Sequence, residues 1–244
     1  MPNHQVVGRE EWLKARRVLL AREKEAVRLR DAINAERLAL PWVKVEEDYL
    51  FDTADGPKRL SELFAGRSQL MVYHFMLAPG WDAGCDGCSF LADHFDGTLP
   101  HLNAHDVTLI AISRAPLSEI EAYRMRMGWK FPWASSIGNR FNYDYQVSFT
   151  EEDLARGKVT YNYRETDAAH VGPENPGLSA FYCDADGTVF HTYSSYARGP
   201  EELIGTFMIL DRAPLGRNEG TIMDWVRRHD EYEVARETAS CCHS

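Results

Sequence analysis

Two residues separate Cys85 from Cys88, and both follow a loop, Ala78-Pro79-Gly80-Trp81-Asp82-Ala83-Gly84, rich in glycine and proline. Such a C-x-x-C pair supports two kinds of chemistry. Its sulfurs can exchange with a disulfide, one attacking and the other resolving the mixed disulfide. Alternatively, they can supply two of the four ligands of a closed metal site. The flanking residues favour exchange. Gln69 to Leu77 is nearly all apolar, as expected of a strand covered on both faces. Phe90 to Leu102 is amphipathic and reads as helix. A helix that begins at the pair offers unpaired N–H groups and the positive end of its dipole to a thiolate. Cys85, nearer that end, is the candidate attacking thiol, and Cys88, a turn deeper, the candidate resolving thiol. Gly84 and Gly87 allow a tight backbone and leave room for a partner chain. Asp86 opposes thiolate formation, which predicts a raised Cys85 pKa and a reducing or modest dithiol.

Around the pair, His74, Trp81, Asp86 and Ser179 are candidate substrate-pocket residues. His74 reads as a neutral, hydrogen-bonded histidine of a core or pocket. Trp81, Trp129, Trp133, Tyr143, Tyr145, Tyr193 and Tyr196 fit either an aromatic cleft over the cysteines or a core. No second C-x-x-C stands at finger spacing. His101 and His105 are four apart but lack the glutamate of a zinc-helix motif. We therefore expect no metal and no cofactor. Cys183 lies in a predicted strand and reads as an inert buried thiol. Cys241 and Cys242 lie in the tail, as ordinary surface residues or a second dithiol.

The elements that must position this chemistry are legible in outline. Arg9 to Leu40 predicts one long helix, with Trp12, Leu19, Ala26 and Ile33 recurring every seven residues. Its apolar stripe needs cover, from the chain's own domain or from a second copy in a homodimer. Val43 to Leu60 predicts a hairpin turning at Asp52 to Gly56. Gln69–Leu77, the helix after the cysteines, and Val107–Ile112 make a βαβ unit with parallel strands. Pro116 opens a helix closed by Gly128, and Phe131 to Ser135 reads as a short strand. Thr150 to Gly177, polar and turn-rich, reads as an inserted loop. Leu178–Cys183 and Thr188–Tyr193 form a hairpin. Glu201 to Leu210 reads as a closing helix, and Ile222, Trp225, Val226 and His229 as a short amphipathic one. The expected organisation is a helical extension over 1–41, an α/β domain over 42–215 with its insertion at about 150–177, and a helix and tail over 216–244.

Whole-chain properties narrow the function. Hydrophobic residues make up 44% of 244, enough for a full core. A formal charge of -10 argues against nucleic acid or an anionic membrane as partner. Five cysteines without an apolar leader do not form a disulfide framework. The expectation is a cytoplasmic protein without membrane spans.

The order hairpin, βαβ with C-x-x-C, helix, insertion, hairpin, helix resembles the thioredoxin-like fold, a central mixed sheet flanked by helices. Arg9–Leu29, Ser68–His101, Ser113–Trp133 and Phe190–Gly199 also resemble a bacterial family of uncharacterised thioredoxin-like proteins, often described as dithiol-disulfide oxidoreductases. That resemblance implies an enzyme with a redox-active centre at Cys85 and Cys88, acting on a small-molecule or protein thiol or disulfide. The alternative is a non-catalytic ligand- or metal-binding protein of the same fold. Three departures separate the chain from thioredoxins. Gly84 replaces the tryptophan before the first cysteine, Asp86-Gly87 stands between the cysteines, and Ser179 occupies the expected proline position at the strand start, with Pro176 too early. The peroxiredoxin pattern upstream of the first cysteine is absent as well, with Ala78 and Asp82 in place of its proline and hydroxyl.

Overall fold

The computed structural model describes residues 4–232; Cys241 and Cys242 lie outside them. The chain divides into two compact units, residues 1–42 and 43–244. The first unit is a single long helix, α1 (Arg9–Leu38), two residues shorter than expected. Glu10 and Glu11 in its first turn and Arg37 in its last complement its dipole. None of its residues is buried, and Trp12, Leu19 and Ile33 of its stripe are exposed.

The second unit is an α/β domain with a thioredoxin-like fold. Its strands are β1 (Val43–Lys44), β2 (Leu50–Phe51), β3 (Lys58–Arg59), β4 (Gln69–His74), β5 (Val107–Ser113), β6 (Trp133–Ser135), β7 (Lys158–Tyr161), β8 (Arg164–Asp167), β9 (Gly177–Cys183) and β10 (Val189–Tyr196). Its helices are α2 (Asp86–Ala92), α3 (Leu99–Ala104), α4 (Leu117–Arg126), α5 (Phe141–Asp144), α6 (Glu151–Ala155) and α7 (Gly205–Leu210). Six strands form one sheet in the order β1-β10-β9-β4-β5-β6. The strands β4, β5 and β6 run parallel, whereas β9, β10 and β1 alternate antiparallel. The βαβ unit and the closing hairpin thus share one sheet through the antiparallel β4–β9 pairing, the arrangement that defines the thioredoxin-like core.

Side chains of a strand alternate between the two faces of its sheet, and the core divides accordingly. Tyr73, Leu109 and Ala111 pack on one face with Phe75, Phe90, Leu91, Trp129 and Cys88. Leu70, Val72, Ile110 and Ile112 pack on the other with Phe51, Phe64, Phe141 and Phe181.

Several expectations change in detail. The segment 150–177 is not a plain loop. Thr150 caps α6 through a hydrogen bond from the Asp153 N–H, and β7 and β8 form a hairpin. Val147, Phe149, Val159, Tyr161 and Tyr196 close a third apolar cluster around it. Turn residues conceal the short strands because β7 buries only alternate positions and β8 buries none. The closing helix is interrupted. A 3-10 turn over Gly199–Leu203 precedes α7, since Ile204 adopts a non-helical backbone. Around Ile222 to His229 the chain forms turns and a 3-10 turn at His229–Glu231 rather than an amphipathic helix. Trp225 and Val226 still face the core, placed there by turns instead of helical periodicity. Strand β9 begins at Gly177, so Pro176 directly precedes it and is not displaced from the strand start.

Candidate functional site

The dithiol loop is held from both ends. Phe75 N–H donates to Ile112 O at 3.0 Å, and Cys85 N–H donates to Met76 O at 3.2 Å, which returns the loop to the end of β4. Gly84 is required by packing. A Cβ there would stand 2.4 Å from Phe75 Cε1 and 2.8 Å from Tyr123 Cε1. Cys85 is the N-cap residue of α2. Ser89 Oγ donates to Cys85 O at 2.8 Å, and the Tyr123 hydroxyl joins Ser89 at 2.7 Å.

The two cysteines are close, 4.1 Å apart, and both are free thiols. Their surroundings differ sharply. Cys85 is partly exposed, whereas Cys88 is 2% exposed. The Cys88 side chain donates a hydrogen bond to the Cys85 sulfur and is the largest influence on it, aided by the N–H groups of Cys88 and Gly87. Burial and Asp86 oppose the thiolate, yet the Cys85 pKa falls to about 6. The expectation of a raised pKa is thereby corrected. Asp86 acts in the expected direction but is the smallest of these influences. Burial pushes the Cys88 thiol well above its ordinary pKa, reinforced by its hydrogen bond to Cys85; a hydrogen bond from Tyr73 counteracts both.

The pocket candidates separate. Asp86 lies beside the thiols in the first turn of α2. Trp81 is 36% exposed on the loop before them. His74 and Ser179 are brought together, but with the core of the opposite sheet face. His74 stacks on Phe141 and Tyr145, and Ser179 pairs across the strands with Val72. His74 Nε2 and Ser179 Oγ are 2.8 Å apart, and the chain continues through Ser194 Oγ at 2.8 Å to His191 Nε2 at 2.7 Å. Burial, reinforced by His191, lowers the His74 pKa to about 3, so this histidine is neutral. The aromatic residues do not form one cleft. Trp129 and Trp133 are core residues on the Cys88 face. Tyr145 and Tyr196 instead line a separate pocket of about 590 Å³ with Tyr163 and His191.

Sequence reasoning missed the groups that surround the pair. Tyr73 is one of several apolar-looking residues in β4. Tyr123 comes from α4. Arg228 comes from the C-terminal segment and reaches Asp86 at 2.9 Å. Only Ser89 left a local signal, four residues after Cys85 on the same helical face. His94 spends its ring on Phe90 O and Thr206. Among the described residues no group of three or more His, Cys, Asp or Glu side chains is placed to hold a metal ion. Cys183 ends β9 half-buried, with its pKa raised by burial and Asp184.

The family described as "Bacterial protein of unknown function (DUF899)" matches residues 1–232. The chain belongs to this family. That description carries no activity. No curated protein matches the chain. Among solved structures it is similar to peroxidoxin BcpB from Mycobacterium tuberculosis, at 16% identity and TM-score 0.42, covering 70% of this chain and 97% of that one. It is also similar to PrxQ from Xylella fastidiosa, at 12% identity and TM-score 0.44, covering 69% and 94%. Peroxiredoxin Q from Xanthomonas campestris gives 12% identity and TM-score 0.40, covering 67% and 96%. At these scores the fold assignment rests on the strand order described above. Among the described residues no helix is long and apolar enough to cross a membrane.

Proposed function

We propose that this DUF899 member is a thiol-disulfide oxidoreductase in which Cys85 attacks and Cys88 resolves. One observation supports it above the rest: the two sulfurs are adjacent but oppositely tuned. Cys85 is partly exposed with a lowered pKa, and Cys88 is buried with a raised one. A thiolate is the nucleophile of exchange, and a pKa near 6 leaves it mostly ionised at neutral pH. Cys85 Sγ⁻ attacks one sulfur of a substrate disulfide, forming the mixed disulfide and releasing the first substrate thiolate. That bond consumes the charge that the Cys88 thiol was stabilising. Cys88 then gives up its proton, to the departing thiolate or to water, and attacks Cys85 Sγ. The second substrate thiolate leaves. The net change is one disulfide reduced and one dithiol oxidised, with two electrons moved. Reading the steps backwards oxidises a substrate dithiol.

The site supports a narrower role than thioredoxin's, because Gly84 replaces the flanking indole and Trp81 sits on a separate loop turn. Cytoplasmic location and a thiol or disulfide substrate form part of this proposal. The test is a thiol count on the full chain before and after reduction, with each cysteine resolved by peptide mass. A gain of two thiols at Cys85 and Cys88 is expected, and it should vanish in Cys85→Ser. Retention of the gain in that variant overturns the assignment.

A further inference from the structure

One guanidinium holds both neighbours of the attacking cysteine. Arg228 donates to the Gly84 carbonyl oxygen from Nη2 at 2.7 Å and from Nε at 3.1 Å. The same Nη2 lies 2.9 Å from Asp86 Oδ1. Its Nη1 donates to Glu231 Oε1 at 3.0 Å. The arginine is only 19% exposed, and its own segment fixes its position. Val226 is 2% exposed in the core, and Trp225 packs edge-on against Phe90 of α2. His229 Nδ1 reaches Asp93 at 2.7 Å, and Arg126 of α4 pairs with Asp230 and Glu231. Met223 covers Gly87, its sulfur 3.3 Å from where a Cβ would stand.

We propose that Arg228 is a positioning residue of the dithiol. It clamps the turn through the Gly84 carbonyl and pairs with the carboxylate of Asp86, weakening that group's opposition to the Cys85 thiolate. The segment around it, 144 residues away in sequence, thereby completes the site. This inference rests on the oxidoreductase reading for its purpose. Arg228 touches neither sulfur in the hydrogen-bond network described and acts only through its two neighbours. Arginine suits the task because its planar fork spans a carbonyl and a carboxylate at once and stays charged at all working pH values. A lone carboxylate opposes a neighbouring thiolate, whereas a paired one presents a dipole whose field decays faster. Cys85 faces Cys88 and Asp86 of α2 and Tyr73 of β4, while Arg228 faces Asp86, Tyr123 of α4 and Glu231 of its own segment.

The test is the pH dependence of Cys85 alkylation by iodoacetamide in the reduced full-length chain. Peptide mass separates Cys85 from Cys183, Cys241 and Cys242. In Arg228→Gln the midpoint should rise by on the order of one pH unit, and adding Asp86→Asn should return it. Arg228→Lys should fall between, since it keeps the charge and loses the fork. An unchanged midpoint in Arg228→Gln overturns the proposal, as does a rise that Asp86→Asn fails to reverse. If Arg228→Gln does not fold by circular dichroism, Asp86→Asn alone decides. With Asp86 largely offset by Arg228, its midpoint should fall by no more than about 0.3 unit, and a fall of about one unit overturns the clamp. This readout needs no disulfide substrate, so its failure is distinct from failure of the two-thiol gain.

Discussion

The decisive asymmetry at the residue scale is between two sulfurs of the same type. Cys85 keeps access to solvent and receives hydrogen bonds. Cys88 loses solvent and gives one. Linkage turns this into a stability prediction. The folded pKa of Cys85, about 6, lies well below the ordinary thiol value, so its thiolate stabilises the reduced fold. That contribution is fully present above the unfolded pKa and is lost as pH falls through about 6. Below pH 9 the raised Cys88 pKa does not oppose this trend, because Cys88 is protonated in both states. The melting temperature of the reduced chain should therefore rise between pH 6 and pH 8.5 relative to Cys85→Ser, each pKa unit being worth at most about 1.4 kcal/mol. His74 obeys the same sign for a different reason. Held neutral with a pKa near 3, it loses stability to the unfolded state as pH drops below the ordinary histidine range. A His74→Asn variant should flatten the acid limb of a urea-unfolding series between pH 6.5 and pH 4.

The dithiol depends on how four elements meet at the end of β4. The loop before Cys85 is pressed so closely against Phe75 and Tyr123 that position 84 admits no side chain. Gly84→Ala must displace one of those rings. The expected cost is about 1–3 kcal/mol, read by urea denaturation, together with slower Cys85 alkylation because Cys85 moves with the turn. A spared stability would show that Phe75 and Tyr123 yield freely. The same crowding explains why the pair could be placed on a strand–loop–helix from sequence while its partners could not. Periodicity marks β4 and α2, but it says nothing about Tyr73 of β4 reaching the Cys88 sulfur or Tyr123 of α4 reaching Ser89.

The second unit as a whole carries all three apolar clusters and the dithiol between residues 43 and 232. Deleting residues 1–42 should leave the alkylation midpoint of Cys85 unchanged, and a shift above about 0.5 unit would reveal dependence on the first unit. Within the sheet, β4 pairs on both sides and is almost wholly buried, whereas β1 is a two-residue edge strand and the β7–β8 hairpin lies outside the sheet. Amide exchange should accordingly be slowest in β4, β5 and β9 and fastest in β1 and the β7–β8 turn. Uniform protection would refute that order.

Local order along the chain was readable from the residues alone, because burial periodicity and turn chemistry are encoded within a few neighbours. This covers the long first helix, the parallel βαβ unit, the closing hairpin and the C-x-x-C at the strand–helix junction. The secondary structure of 150–177 was not readable, since its strands are four residues each and only β7 buries any side chains. Nor was the path of residues 219–232, whose core contacts are made by turns. The tertiary structure alone decided the state of the thiols. Asp86, read by itself, raises the Cys85 pKa. In the fold it faces Arg228, and the Cys88 hydrogen bond outweighs it. It also put His74 and Ser179 on the far face of the sheet, a consequence of strand register between residues more than a hundred positions apart. Electrostatics acts through space, and packing that no local pattern records brings Tyr73 of β4 to the two thiols and Arg228 of the C-terminal segment to Asp86 and the Gly84 carbonyl.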